Sequence, residues 1–325
     1  MSEAVAPPVG VRAETTPATT SFLGRFNNPW RKPRFLKAFT WMYLAWSILP
    51  VLIAVLISFN CGRSRAIIQL NCGEPAVAVQ EGAPTELERI GRWWIYDPVD
   101  SVWHDQVLRK AIFQSLRLSL LVTLIATPIG VAFALGIDRW RGRGSGSANF
   151  LVLLSFVVPE LILGVSLFIV FTQALKFVGL GTLAQVLGLV TFQISYPVII
   201  VRARLISIGK EYEEAAMDLG ASPLQALRKV LFPMLLPAIF VSAVLVFADV
   251  IDDFIIVRYL SLGAGTEPMS VKIYSAARGA PTPAINAMAT IMLVSTLLVV
   301  GIGAIAYKRF TKAEKGTTVK ELVQI

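Results

Sequence analysis

The sequence predicts an all-α polytopic membrane protein with six transmembrane helices, and three observations lead there. Of its 325 residues 55% are hydrophobic and only 16% are charged, whereas an average soluble domain carries about 25% charged and about 45–50% apolar residues. The apolar residues gather into long blocks. Four blocks, Ala38–Phe59, Leu118–Ile137, Phe177–Val201 and Ala284–Tyr307, contain no Asp, Glu, Lys or Arg over at least 20 residues each, and about 20 helical residues cross a ~30 Å hydrocarbon core. This composition excludes a disordered chain and argues against a soluble enzyme, whose charged shell is missing.

Taken in order, residues 1–37 open with a Pro-, Ala- and Thr-rich stretch that reads as a cytoplasmic, largely disordered tail. The first apolar run, Ala38–Phe59, is longer than the usual 7–15 residues of a cleavable signal, so it is expected to remain as an anchor. Leu118–Ile137, Phe177–Val201 and Ala284–Tyr307 supply the second, fourth and sixth spans. Two further blocks are equally apolar but contain acids. Ala148–Leu175 holds Glu160, and Met234–Val257 holds Asp249, Asp252 and Asp253. In lipid every backbone polar group needs an internal partner, so segments of this length must be helical. The six-span domain then runs over residues 38–307, with an external loop at 60–112, a cytoplasmic loop at 202–233 and a cytoplasmic tail at 308–325.

Orientation follows from the bases, which favour the cytoplasmic side. With the amino terminus inside, six of the 30 Lys and Arg residues precede the first span. Three lie in Arg139–Arg143, five in Arg202–Lys229 and five beyond Tyr307. Both termini are therefore expected in the cytoplasm.

The only two cysteines, Cys61 and Cys72, fall just outside the first span. They are either one small disulfide loop on the oxidising side or two free thiols. Trp93, Trp94, Tyr96, Trp103 and the lone His104 follow, forming either an interfacial aromatic belt or a docking surface for an extracytoplasmic partner. No Cys/His/Asp cluster surrounds His104, so no metal site is expected.

Lys210–Pro237 reads KEYEEAAMDLGASPLQALRKVLFPMLLP. Glu211, Glu213 and Glu214 open a short helix, where negative charge complements the dipole. Gly220 tolerates the left-handed conformation that ends one. Ser222 as N-cap and Pro223 at the first helical position restart it, and Pro233 and Pro237 are expected to end the second helix. The residues alone also allow a hairpin lying on anionic lipid through Arg228 and Lys229.

Glu214-Ala215-Ala216, three residues, Gly220, nine residues, then Val230-Leu231-Phe232-Pro233 resembles the EAA loop of binding-protein-dependent ABC importer permeases. Val and Phe stand where that pattern has Ile and Leu. Ile251-Asp252-Asp253-Phe254, Lys272-Ile273-Tyr274-Ser275 and Pro283 through Thr290 look like the spermidine/putrescine permeases, and within them the second permease subunit. Residues 60–107 fit poorly. The resemblance implies the ABC importer permease fold in a bacterial cytoplasmic membrane. It implies a coupling helix at Glu213, Glu214, Ala215, Ala216, Asp218, Leu219, Gly220, Ala221, Ser222 and Pro223 that docks on an ATPase. It also implies a sister permease subunit, two ATPase subunits that carry ATP and Mg, and an extracytoplasmic substrate-binding protein.

No G-x-x-x-x-G-K-[ST] loop occurs in the chain, so no ATP is expected to bind here. Arg141–Gly146 reads as a flexible positive-inside loop, and neither a catalytic residue, a cofactor nor a nucleic-acid partner is expected. Intramembrane acids cost about 2.5–3.5 kcal/mol each on insertion scales and so call for a role. Asp249 lies about 22 Å into its span, with Asp252 and Asp253 at i+3 and i+4 on one face. Glu160 lies about 18 Å into the third span beside the kink of Pro159. These four acids are candidates for guiding a small cationic substrate. The alternatives are that Asp252 and Asp253 reach headgroups or pair with Arg258, and that Glu160 is tied to Gln185, Gln193 or Tyr196 as helix glue. Phe168, Phe171 and Phe192 are expected in the core or facing lipid, with cation–π contact to an ammonium as the alternative. The same machine carrying ferric iron, thiamine or a phosphonate, and an autonomous ion-coupled transporter or channel, are the competing functions.

Overall fold

In the computed structural model, residues 34–60, 91–97, 99–139, 145–279 and 282–323 are described; Cys61, Cys72 and most of the Arg141–Gly146 loop lie outside them. The described elements are helical. α1 covers Arg34–Ser58, α2 Gln106–Arg139, α3 Ser145–Val157, α4 Glu160–Ile169, α5 Thr182–Gln193 and α6 Ser195–Ile208. α7 covers Glu211–Asp218, α8 Pro223–Ala226, α9 Phe232–Asp252, α10 Ile255–Leu260, α11 Met269–Arg278 and α12 Pro283–Val323. Three π-turns, Arg92–Tyr96, Val170–Ala174 and Leu227–Leu231, interrupt or join them.

The chain divides into two compact units, residues 1–51 and 52–325. Among described residues the first is Arg34–Val51 of α1, and the second holds everything else. Among the described residues five helices are long and apolar enough to cross a membrane, and the α3–α4 pair makes a sixth if it is one bent span. That pair is where the structure departs most from an even row of spans. Pro159 separates the two helices at an angle of 103°, because its ring blocks a continuing helix and it has no N–H to donate.

Several other boundaries move: the second span begins at Gln106, inside the expected 60–112 loop, and the fifth-span helix stops at Asp252 and not Val257. The fourth span runs over Thr182–Ile208 and so extends seven residues into the expected 202–233 loop. Pro233 and Pro237 do not end a helix: Pro233 sits in the first turn of α9 and Pro237 within it. The Leu227–Leu231 π-turn carries α8 into α9, its register change closed by Phe232 N–H donating to Leu227 O, one residue before the proline that lacks a donor. The last helix continues past Tyr307 to Val323, through the expected tail.

α9 is the central element, packed against α2, α6 and α12. At the end of the spans nearest α7 and α8, Val131, Ala134, Val201, Leu205, Ile208, Leu231 and Leu235 form one buried cluster. A second, around Val122, Leu189, Val190, Val246, Ile256 and Leu260, joins α2, α5, α9 and α10. Gln185 is buried within it and fully satisfied, accepting from Gln114 Nε2 at 2.9 Å and donating to Ser261 Oγ and Thr266 O at 2.9 and 3.0 Å.

Trp93 and Trp94 tie the segment around residues 91–105 to the end of α1. Trp93 is buried and its indole N–H donates to Asn60 O at 2.5 Å, while Trp94 donates to Ser58 O at 3.2 Å and stacks on Phe59. A buried indole needs a partner for its N–H, and the end of α1 provides it. Tyr96 and Trp103 remain exposed, and His104 Nδ1 pairs with Ser101 Oγ at 3.0 Å. Burial alone raises the pKa of Asp97, but donors from Asp100 N–H, Arg92 Nε and Val99 N–H outweigh it and hold that carboxyl below its ordinary range.

Candidate functional site

Two features carry chemistry, and each is built by an interruption in a helix. The first lies at the end of α9. The helix stops at Asp252, Asp253 turns extended with ψ at 124°, and α10 begins at Ile255. The break is pinned from outside: Ser270 Oγ donates to Asp253 O at 2.5 Å, and Met269 N–H donates to Ser115 Oγ at 2.8 Å. α4 lies along α10, which brings its first residue, Glu160, beside Asp253. At a helix N-terminus a carboxylate is favoured by the dipole.

All four predicted acids thus come together. Glu160 and Asp249 are the charged neighbours of Asp253, and Asp249 is the charged neighbour of Asp252. Asp252 is exposed, Glu160 and Asp249 are half-buried, and Asp253 is buried. Arg258, one of the alternative partners considered for Asp252 and Asp253, pairs instead with Glu267 at 2.7 Å, which also takes Lys272 at 2.5 Å. Among the described residues no Lys or Arg pairs with any of the four acids.

Neutral donors orient the cluster. Gln193 Nε2 donates to Asp249 Oδ2 at 2.7 Å and Tyr196 OH to Asp249 Oδ1 at 3.4 Å. The glutamines and tyrosine proposed as partners of Glu160 therefore serve Asp249 and, for Gln185, the α5–α10 packing. Asp253 Oδ1 accepts from Val257 N–H at 3.1 Å, whereas Asp253 Oδ2 and Gln193 Oε1 are buried without a donor among the described residues. Such orphaned acceptors are rare in native structures. The wall beside them is aromatic: Phe156 and Phe192 both stand edge-on to Tyr196, at 4.9 and 6.2 Å. Phe171 is in the core as expected, while Phe168 is 37% exposed. Phe156 was not singled out from the sequence, since nothing local marks it among the phenylalanines of an apolar block.

The second feature is the elbow of α7 and α8. Gly220 has φ +90° and Gly209 φ +76°, so a left-handed residue bends the chain at each end of α7. Ser222 caps α8 in a reciprocal capping box with Gln225, and Pro223 follows at its first position, as the local rules require. Glu214, Ala215, Asp218, Leu219, Gly220, Ser222 and Pro223 are exposed, with Ala216 and Ala221 half-buried. Leu219 and Leu224 are 91% and 71% exposed, an apolar tip. Glu213 is different: it is buried and ion-paired with Arg139 at the end of α2.

The family model described as the binding-protein-dependent transport system inner membrane component matches residues 126–315, more than half of the chain and both features. The chain belongs to this family. The putrescine transport system permease protein PotI of Escherichia coli (strain K12) is 30% identical over 293 residues, covering 89% of this chain and 93% of that protein. The spermidine/putrescine transport system permease protein PotC of Haemophilus influenzae is 27% identical over 266 residues, covering 81% and 92%. Among solved structures, a bacterial ABC transporter involved in the import of the acidic polysaccharide alginate matches with a TM-score of 0.63 at 17% identity, over 88% of this chain and 98% of that one. The MetNI methionine ABC transporter matches at 0.54 and 19%, over 65% and 99%. At those identities the likeness is one of fold. As a binding-protein-dependent inner membrane component, the chain is a permease subunit and not an enzyme; ATP hydrolysis is carried by separate ATPase subunits, and a binding protein is part of the system.

Proposed function

We propose that this chain is one permease subunit of a polyamine importer of the bacterial inner membrane, passing putrescine, spermidine or a related small cation into the cytoplasm. It lies with both termini in the cytoplasm and forms the pore with a sister permease subunit. A substrate-binding protein delivers the cargo from outside. Two ATPase subunits, which hold ATP and Mg, engage the exposed face of α7 and α8 through Glu214, Ala215, Leu219 and their neighbours. This chain binds no cofactor.

The observation that carries the cargo assignment is the acid cluster without a counter-cation, containing two buried acceptors that lack donors. A primary ammonium offers positive charge and three N–H donors together. It offsets the mutual repulsion of Glu160, Asp249 and Asp253 and satisfies acceptors such as Asp253 Oδ2 and Gln193 Oε1. The aromatic wall of Tyr196, Phe156 and Phe192 suits the methylene chain and adds cation–π attraction. The two permeases named for putrescine and spermidine support the same cargo class.

The test is uptake of radiolabelled putrescine and spermidine by cells lacking this chain. Loss of uptake, restored by the wild-type gene, is the expected result; unchanged uptake removes the polyamine assignment and leaves ferric iron, thiamine or a phosphonate as cargo. Co-purification of an ATPase with the detergent-solubilised chain, abolished by Glu214→Lys, distinguishes this machine from an autonomous channel or ion-coupled transporter.

A further inference from the structure

The three acids that open α7 are not equivalent. Glu211 and Glu214 are exposed, whereas Glu213 is 4% exposed and its carboxylate accepts from Arg139 Nη2. Arg139 is the last residue of α2 and remains 42% exposed, with Asp138 3.5 Å away on its other side. The guanidinium therefore reaches from the cytoplasmic end of a membrane span to the underside of the elbow.

The two limbs of the elbow are attached to the membrane domain by different physics. The second limb is apolar: Leu231 and Leu235 are buried with Val131 and Ala134 of α2 and with Val201, Leu205 and Ile208 of α6. The first limb, α7, leans on α8 and the Leu227–Leu231 π-turn and is bracketed by left-handed Gly209 and Gly220. Such a short helix between two bends can pivot. What ties it to a membrane span is a directional, charge-assisted bond. A buried carboxylate cannot leave its guanidinium without exposing an uncompensated charge, so movement of α7 is passed to α2 rather than absorbed between them.

We infer that Glu213 is a positioning residue and not an ATPase contact: with Arg139 it forms the strut that transmits displacement of α7 to the second span. The inference rests on the reading of α7 and α8 as the ATPase-docking elbow, and it removes Glu213 from the docking face on which the other loop residues lie. Because α2 packs along α9, whose far end carries Asp249 and Asp252, the strut gives the elbow a rigid route toward the acid cluster.

The experiment uses the complete importer in proteoliposomes, measuring ATPase retained per permease, ATP hydrolysis, and putrescine transported per ATP. Glu213→Gln retains the ATPase and lowers transport per ATP about tenfold. Arg139→Gln gives the same defect, the double variant is no worse than either single one, and Arg139→Lys keeps most of the coupling. Unchanged transport per ATP in Glu213→Gln, or losses that add in the double variant, overturn the strut. Loss of ATPase association in Glu213→Gln also overturns it, by placing Glu213 in the docking face. Failure of the underlying reading looks different: no ATPase accompanies the wild-type chain, or Glu214→Lys leaves its association intact.

Discussion

The side-chain amide of Gln193 donates to Oδ2 of Asp249 at 2.7 Å, joining the fourth span to the fifth. The bond fixes which way the amide points, so Gln193 Oε1 is the atom left buried without a donor. It also orients a carboxylate with a neutral group, leaving its charge in place. An ion pair in the same position would have cancelled that charge and closed the site to a cation. Tyr196, the other donor to Asp249 at 3.4 Å, acts in the same way. The arrangement keeps acidic groups inside an apolar wall, and under the proposed function an arriving ammonium would offset that cost.

Pro159 sets the bend that brings Glu160 to this cluster. Hydrogen bonding of the third span runs up to Val158 N–H on Leu154 O and resumes with Leu163 N–H on Pro159 O. In Pro159→Ala the missing donor returns, and the obstacle of about 3 kcal/mol that proline sets against a helix continuing through this position is removed. The thermal midpoint of the purified chain is expected to hold or rise while putrescine uptake falls, because a straighter span withdraws Glu160. A parallel fall in both would assign Pro159 to stability alone.

Gly220 is required by its backbone and not by crowding. A Cβ there would meet nothing within 4 Å, yet φ is +90°. A β-branched residue in that conformation costs roughly 1–3 kcal/mol, whereas Asn adopts it more readily. Gly220→Val is therefore expected to weaken ATPase retention in pull-downs from detergent, and Gly220→Asn to preserve most of it. Equal retention by both variants would mean that the elbow does not need this bend.

Asp97 makes the outer segment sensitive to acid in a defined direction. Its folded-state pKa lies below the ordinary value of 3.8, so its contribution is fully present above that value and is lost as pH falls through the folded pKa. Protection of the amides of residues 92–102, with exchange corrected for the intrinsic rate at each pH, is expected to be flat from neutral pH to pH ~5 and to fall only below about 3.8. Asp97→Asn should raise exchange at neutral pH and remove the acid step. Acceleration already at pH 6 would place the sensitivity in another group.

What the sequence made legible was whatever is decided locally or by the bilayer. Charge-free blocks become spans because hydrocarbon admits little else. The elbow was legible down to Gly220, Ser222 and Pro223, since caps and turns depend on adjacent residues. Spacing alone also placed Asp249, Asp252 and Asp253 near one another. Tertiary choices were not legible. Gln193 and Tyr196 were alternative hydrogen-bond partners for Glu160 but bond Asp249, because the register between spans is set by packing. Arg258 was a plausible partner for Asp252 and Asp253, but Glu267 takes it. Glu213 and Glu214 are neighbours in sequence but about 100° apart on a helix, and only the position of α2 decides which faces inward. Pro159 announced a kink, but the 103° angle depends on α4 lying along α10. The tryptophans looked like a belt until the carbonyls of Ser58 and Asn60 were found to hold their N–H groups.

The most direct test of the account is putrescine uptake by an importer carrying Asp249→Asn, alongside the wild type and at matched levels of assembled complex. Asn keeps the size and an acceptor for Gln193 but removes the charge, so folding and ATPase association should persist. Uptake is expected to fall by about tenfold or more, since each 1.4 kcal/mol of lost cation stabilisation is a factor of ten. Wild-type uptake by the Asn variant would contradict the central claim, reducing Asp249 to a link between two spans.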